Sequence, residues 1–368
     1  MPRVTVIMPA YNHARFIGQA VTSVLSQSFK DLELLVVDDA SRDETPEVLA
    51  RFSDARLRSR RNPNNIGASA SVNDALQTAA GEFIAILNSD DYFFPDKLAR
   101  QVRFLDENPR VGAVFGLPFF IDEQGKRIGG ERNSFRNLFI NTNMPRHAWL
   151  KRFFCAGNAL CHPTALIRRS CFEAVGPYDA RLAQLPDLDL WIRICHHFDL
   201  HILDEALTAY RVLKDDGNAS GFSVGGRIRH DWELQYVLRR YLDLSDRDLC
   251  QTFAAEFLHL DPGGRNAART NLGLLALETG RRGHAPSSYF AFGLDVLRQQ
   301  LGENQEGIST AEFLRLTGSI DVFRQGAQLS ELQRLRNSLS WRLTRPLRAA
   351  TNVARRLGAL TRHARALS

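Results

Sequence analysis

Apolar and polar positions change period several times along this chain, and the changes mark out its elements. Val4–Met8 is a short apolar run that stops at Pro9, which predicts a first strand. Phe16, Ile17, Ala20, Val21, Val24 and Leu25 then recur at helical spacing. Leu32–Val37 reads as a fully buried strand and Asp43–Phe52 as the next helix. Asn62-Pro63-Asn64-Asn65-Ile66-Gly67 has the chemistry of a turn. A helix over Ala68–Ala79, a break at Gly81 and a strand over Phe83–Leu87 follow. Pro95 stands at the first turn of a helix that runs to Asp106. This alternation of strand and helix predicts a doubly wound α/β sheet.

Downstream the pattern loosens. Val111–Phe115 and Phe119–Asp122 are strand-like, residues 129–147 form an irregular Gly-, Asn- and Arg-rich stretch, and Arg168–Val175 and Leu188–His196 predict helices. From Arg227 to Phe323 the spacing is mainly helical, and Asn271 to Phe290 resembles one tetratricopeptide-like hairpin. One copy is not a repeat array, which needs about three units for stability. The expected organisation is an α/β domain at 1–225, with halves 1–122 and 123–225, a helical domain at 226–328 and a tail at 329–368.

Two acidic turns change the picture from fold to chemistry. Val36-Val37-Asp38-Asp39-Ala40-Ser41 and Ile86-Leu87-Asn88-Ser89-Asp90-Asp91 each follow a predicted strand. Carboxylates at the C-terminal ends of parallel strands lie where an open α/β sheet presents its ligand crevice. Carboxylates rather than glycines at that edge suggest a hard cation and, through it, a diphosphate.

Composition narrows the class. With 368 residues, 44% apolar and 24% charged, the chain has the make-up of an ordinary globular protein with room for more than one unit. No apolar run approaches the roughly 18 residues that span a bilayer, and the N-terminus shows no signal-peptide pattern. The five cysteines form no CxxC pair, so buried free thiols in a reducing cytoplasm are expected. Charge is uneven: from Glu331 to Ser368 there are nine Arg, no Lys and one acid, a balance of +8 within a net +6, so the basic character belongs to the tail.

Val4-Thr5-Val6-Ile7-Met8-Pro9-Ala10-Tyr11-Asn12 and Val36-Val37-Asp38-Asp39-Ala40-Ser41-Arg42-Asp43-Glu44-Thr45 closely resemble the opening of family 2 glycosyltransferases. Asn65-Ile66-Gly67, Asn73, Ala80-Gly81-Glu82 and Asn88-Ser89-Asp90-Asp91 continue the likeness in order and spacing, and it extends to about residue 220. The resemblance implies a GT-A fold and transfer of a sugar from a nucleotide-sugar with inversion at the anomeric carbon. Donor binding would fall to Pro9, Tyr11, Asp38, Asp39, Gly67, Asn88 and Asp90. Tyr11 would stack on the base, unless it is a surface tyrosine of the loop. Asp39 would accept a hydrogen bond from the ring N–H of a uracil-like base, and Asp38 would orient the loop or touch the ribose. Either acid could instead cap the helix after Ser41. Asp90 and Asp91 would hold Mg2+ or Mn2+, a solvated turn being the bland alternative.

On the acceptor side, Asp187-Leu188-Asp189-Leu190-Trp191-Ile192-Arg193 resembles the family's Glu-Asp motif and the helix after it. Asp187 would be the general base that takes the acceptor hydroxyl's proton; Asp187 and Asp189 could also be helix N-terminal acids. His162, Trp191 and Arg211 are candidate acceptor-side contacts, although His162 and Trp191 could equally be structural. Three positions depart from the family pattern: Asn88 for Asp, Pro186 for Glu, and Leu213 for His. Arg211 or Lys214 would then supply the missing positive contact.

The tail, Arg334 to Arg348, alternates Arg and Leu around Trp341 and resembles segments at the ends of bacterial polysaccharide glycosyltransferases. It suits a peripheral helix on an anionic membrane, or a solvated or partner-bound tail. Nucleic acid is not an expected partner, since no binding motif accompanies the charge. The resemblance implies a nucleotide-sugar donor and a glycan or lipid-linked acceptor in surface polysaccharide assembly in the cytoplasm, free or peripheral on the inner face of the membrane; uracil is the favoured base, thymine presents the same ring N–H, and guanine stays open. Rivals are a nucleotidyltransferase, whose glycine-rich triphosphate loop is missing at Pro9–Gly18, a nucleotide-sugar-binding scaffold without catalysis, and a membrane-surface scaffold.

Overall fold

The computed structural model describes residues 1–128, 138–139, 141–213, 223–283, 285–301 and 307–323. Lys214 and the whole tail from 329 lie outside the described residues, as does most of the irregular stretch from 129. Four parallel strands, β1 (Val4–Ala10), β2 (Leu32–Asp38), β3 (Leu57–Arg61) and β4 (Phe83–Ile86), make one side of a mixed sheet. The other side holds β5 (Tyr92–Phe93), β6 (Val111–Ile121), β7 (Leu166–Arg168) and β8 (Asp199–Arg211). The eight strands run in the order β3-β2-β1-β4-β7-β6-β8-β5, with β7 antiparallel to both its neighbours.

The unbroken apolar runs of β1 and β2 follow from helices on both faces. Val4, Val6 and Met8 pack with Ile17, Val21 and Val24 of α1 (Ala14–Leu25) and with Leu98, Val102 and Leu105 of α4 (Lys97–Glu107). Ile7, Leu35 and Val37 face the opposite core, with Val72 and Ala75 of α3 (Ala68–Thr78) and Trp149, Phe153 and Phe154 of α5 (Arg146–Ala156). The edge strand β3 exposes Arg58, Arg60 and Arg61, charges that discourage pairing with another chain.

Two predicted elements differ in detail. The helix expected over 43–52 is only α2 (Thr45–Leu49). Asp43 lies ahead of it, accepting from the Thr45 N–H at 3.0 Å and the Ala14 N–H at 2.9 Å, so it joins two helix starts. The two strand-like runs at 111–115 and 119–122 are one strand, β6, whose pairing with β8 slips between Phe115 and Pro118. Pro118 has no N–H to give a ladder, which is why the pattern reads as interrupted.

The helical segment comprises α8 (Val224–Leu238), α9 (Asp246–Thr252), α10 (Ala254–Leu260), α11 (Ala268–Arg281) and α12 (Pro286–Gln299). α11 and α12 form the single hairpin expected. A Cβ on Gly293 would stand 2.8 Å from the Gly273 carbonyl oxygen, so close backbone approach requires glycine there. Residues 1–308 form one compact unit. Within it, Phe154 of α5 meets Tyr241, Phe253, Tyr289 and Phe292 edge-on, joining the sheet's core to the helical segment. The outer face of α8 leaves Val224, Ile228, Trp232 and Tyr236 exposed at successive i+4 positions. A second unit spans 309–368; in its described part, α13 (Thr310–Ser319) starts where Ser309 Oγ accepts from the Glu312 N–H. No helix among the described residues is long and apolar enough to cross a membrane.

Candidate active site

The aligned ends of β1, β2 and β4 bring the two acidic turns together: Pro9 stands opposite Val37, Ala10 opposite Asp38, and Ile7 opposite Ile86. Asn12 (φ 55°) and Ala40 (φ 62°) turn left-handed just beyond β1 and β2. Such backbone is costly for a non-glycine residue and is held here by the Asn12 N–H bonded to Ser41 Oγ and the Arg42 N–H to Asn12 Oδ1. Pro9 is half-buried and Tyr11, just beyond the end of β1, is 40% exposed.

Asp38 and Asp39 are both buried, and their contacts divide two tasks. Asp38 Oδ1 accepts from the Ser41 N–H at 3.0 Å, while Oδ2 faces the Arg61 guanidinium at 3.1 Å, an ion pair without an aligned hydrogen bond. Asp39 spans to the Asn62–Gly67 loop. Its Oδ1 accepts from Asn62 Nδ2 and the Ile66 N–H, and its Oδ2 from the Gly67 N–H at 2.8 Å. Three of a carboxylate's roughly four acceptor sites are thus taken, leaving one on Oδ2.

Gly67 adopts φ 89°, ψ 155°, a region essentially reserved for glycine, and a Cβ there would meet no atom within 4 Å. Gly67→Ala should therefore cost about 1–3 kcal/mol through backbone strain alone. Thermal unfolding should register that loss; an unchanged Tm would show that the loop relaxes freely.

The second turn is tied down from three directions. Asn88 Nδ2 donates to Asp91 Oδ2 at 3.0 Å, and the Arg211 backbone N–H donates to Asp91 Oδ1 at 2.7 Å. The Arg211 guanidinium donates to the carbonyls of Asp90, Asp122 and Glu123 and to Gln19 Oε1, and lies over the Phe16 ring. Arg211 is 2% exposed, so it supports the acidic turn from beneath. His13, a residue the sequence did not single out, bonds Ser89 Oγ through Nδ1 at 2.7 Å. Burial raises the Asp90 carboxyl, with the charges of His13 and Arg211 opposing it. Burial and then the Asp90 charge push Asp91 well above the usual range. Among the described residues no side chain donates to the Asp90 carboxylate, and no three metal-ligand side chains gather. Two adjacent buried carboxylates offer the hard oxygen donors that suit Mg2+ or Mn2+, with Asp90 and Asp91 as the residues that would hold it.

Asp187 stands in the first turn of α7 (Pro186–Cys195), the helix after α6 (Arg169–Val175), and the departure at Pro186 becomes the helix's opening residue, a position suited to proline. Asn158 Nδ2 donates to Asp187 Oδ2 at 2.6 Å, and the Leu188 N–H to Oδ1 at 2.8 Å. Asn158 is itself oriented, because its Oδ1 accepts from the Leu160 N–H. Burial pushes the Asp187 carboxyl up to about 6, with these two donors opposing the shift. Burial pushes the Cys161 thiol well up, and the charges of Asp91 and Asp187 add to the shift. Asn73 of α3 joins the halves through two hydrogen bonds with the Tyr178 backbone.

The remaining candidates lie behind this surface. His162 Nε2 bonds the Tyr178 hydroxyl at 2.8 Å, and burial lowers its pKa to about 4, so it is neutral at ordinary pH. Trp191 is fully buried, edge-on to Phe115 and tilted against His162. Asp189 is 1% exposed and bound by Arg193 and Arg240, a structural ion network.

Residues 5–176 match the family model described as Glycosyl transferase family 2. EpsE of Bacillus subtilis, a glycosyltransferase by name, is 34% identical over 221 residues, covering 58% of this chain and 74% of that protein. TarS 1–349 of S. aureus, solved in complex with UDP-GlcNAc, superposes with a TM-score of 0.56 at 18% identity, covering 83% of this chain and 93% of that one. The mannosyltransferase PcManGT of Pyrobaculum calidifontis, solved with GDP-Man and Mn2+, gives a TM-score of 0.52 at 19% identity over 95% of this chain and 84% of its own. The mixed sheet with its flanking helices is the α/β GT-A fold of these neighbours, and the chain belongs to glycosyl transferase family 2.

Proposed function

We propose that this transferase moves a sugar from a nucleoside-diphosphate sugar, UDP-linked by preference, to a hydroxyl of a growing or lipid-linked glycan with inversion. The observation that carries the reading is the buried Asp90–Asp91 pair at the end of β4, tied to β8 through the Arg211 N–H, in one compact unit with an Asp187 carboxyl that Asn158 holds at 2.6 Å. Tyr11 would stack on the base, and the open acceptor site on Asp39 would take a ring N–H. Asn88, with Nδ2 committed to Asp91, would offer its carbonyl oxygen to a ribose hydroxyl. Asp90 and Asp91 would hold the divalent ion, which when bound offsets charge on the departing diphosphate.

Asp187 would take the proton of the acceptor hydroxyl as its oxygen attacks the anomeric carbon opposite the diphosphate. That single in-line displacement inverts the centre. A base with a pKa near 6 is mostly ionised at neutral pH yet still basic enough to accept a proton as the bond forms. TarS with UDP-GlcNAc and PcManGT with GDP-Man and Mn2+ support a nucleotide-sugar and a metal while differing in base. The exposed ridge of α8, with Trp232 and Tyr236, supports an acceptor presented at a membrane surface, where such rings are favoured.

The test is calorimetric binding of UDP, dTDP and GDP with and without Mn2+, followed by transfer from sugars of whichever base binds. Mn2+-dependent binding of UDP above the others is expected. A folded protein that binds none of the three would overturn the reading in favour of a scaffold.

A further inference from the structure

We propose that Glu233, a residue of the helical segment, is the positioning residue of the catalytic base, a role that rests on the assignment of Asp187 above. Glu233 is 1% exposed. Among the described residues it has no ion-pair partner, and its carboxylate is instead satisfied by three backbone N–H groups. Oε1 accepts from Ala183 at 2.8 Å, and Oε2 from Gln184 at 2.8 Å and Leu185 at 2.9 Å. These are the residues that lead directly into α7.

Arg240, in the turn that follows α8, completes the grip by donating through Nε to Asp189 Oδ1 at 2.7 Å. Asp187 thus lies between two anchors, Leu185 and Asp189, both held from α8 and the turn after it. Asn158 fixes the carboxyl group itself, whereas Glu233 and Arg240 fix the backbone that carries it. A buried carboxylate is a costly way to hold a loop. Its effect here is to lock three successive peptide groups at once, which an apolar side chain cannot do. The helical segment is therefore part of the catalytic apparatus, because it sets where the base stands relative to the acceptor oxygen. Reaction rates are sensitive to such placement, with roughly a hundredfold lost for a displacement of about 1 Å.

The experiment compares Glu233→Gln and Glu233→Ala with the wild-type full chain by kcat, acceptor KM, calorimetric nucleotide affinity and Tm. Gln keeps one acceptor oxygen and turns an amide N–H toward the loop, so kcat should fall about tenfold; Ala removes both acceptors and should lose about a hundredfold. Acceptor KM and nucleotide affinity should stay within about twofold, since the donor crevice lies on other elements. Retention of wild-type kcat in Glu233→Gln, or loss of nucleotide binding together with kcat, would overturn the positioning role while leaving Asp187 as base. Wild-type protein that binds nucleotide yet transfers to no acceptor, and whose donor hydrolysis is unaffected by Asp187→Asn, would remove both. Should Glu233→Ala fail to fold, Glu233→Gln decides alone.

Discussion

Asp187→Asn should lower kcat by about 10²–10⁴, the range expected when a positioned general base is removed, while nucleotide binding is retained. Asn preserves shape and can still accept the Leu188 N–H, so the comparison isolates proton acceptance. In the wild type, kcat should fall as pH drops through about 6, because only the ionised carboxylate is a base. The acid limb should vanish in the variant. Stability moves the other way. A carboxyl raised on folding contributes stability that is fully present below its unfolded value and lost as pH rises through about 6. At pH 8, Asp187→Asn removes a charge that burial disfavours, so its Tm should not fall. A steep fall in Tm, or a pH–rate profile that keeps its acid limb, would show that Asp187 is a helix-terminal acid and not the base.

Asp91→Asn should abolish the metal dependence of nucleotide binding, weakening affinity in Mn2+ by at least about tenfold, or about 1.4 kcal/mol. Affinity without metal should change little. Asn can still accept the Arg211 N–H, so the turn keeps its tie to β8. Burial disfavours the charged forms of Asp90 and Asp91, and a bound divalent cation would relieve that cost in a way Asn cannot. Equal Mn2+ enhancement in Asp91→Asn and wild type would place the ion elsewhere. Calorimetry on Asp90→Asn, run alongside, shows whether one carboxylate or both are required.

The acidic strand-end turns were readable because their chemistry is local. Asp38–Asp39 and Asn88–Asp91 each sit on a few consecutive residues after a strand, and parallel pairing alone brings strand ends into line. Asp187 was singled out by its likeness to the family's Glu-Asp motif, just ahead of the helix expected from Leu188. The contacts that qualify these residues were not. Asp39 commits three acceptor sites to a loop beyond β3, His13 reaches Ser89 across the sheet edge, and Asn158 reaches Asp187 from the segment after α5. Nothing in hydrophobic periodicity reports a polar side chain's partner, since that depends on which distant backbone arrives beside it.

The amino-acid sequence by itself determined the class of fold, the acidic turns and the family, because period, turn chemistry and short motifs are properties of neighbouring residues. Tertiary structure decided what each polar group does. It buried Arg211 and Trp191 behind the site, made Pro186 a helix start, and seated Glu233 against the peptide groups before α7. It also set the Asp187 carboxyl near 6, since that shift comes chiefly from burial, and burial is defined only once the α/β sheet, α5 and α7 have packed together.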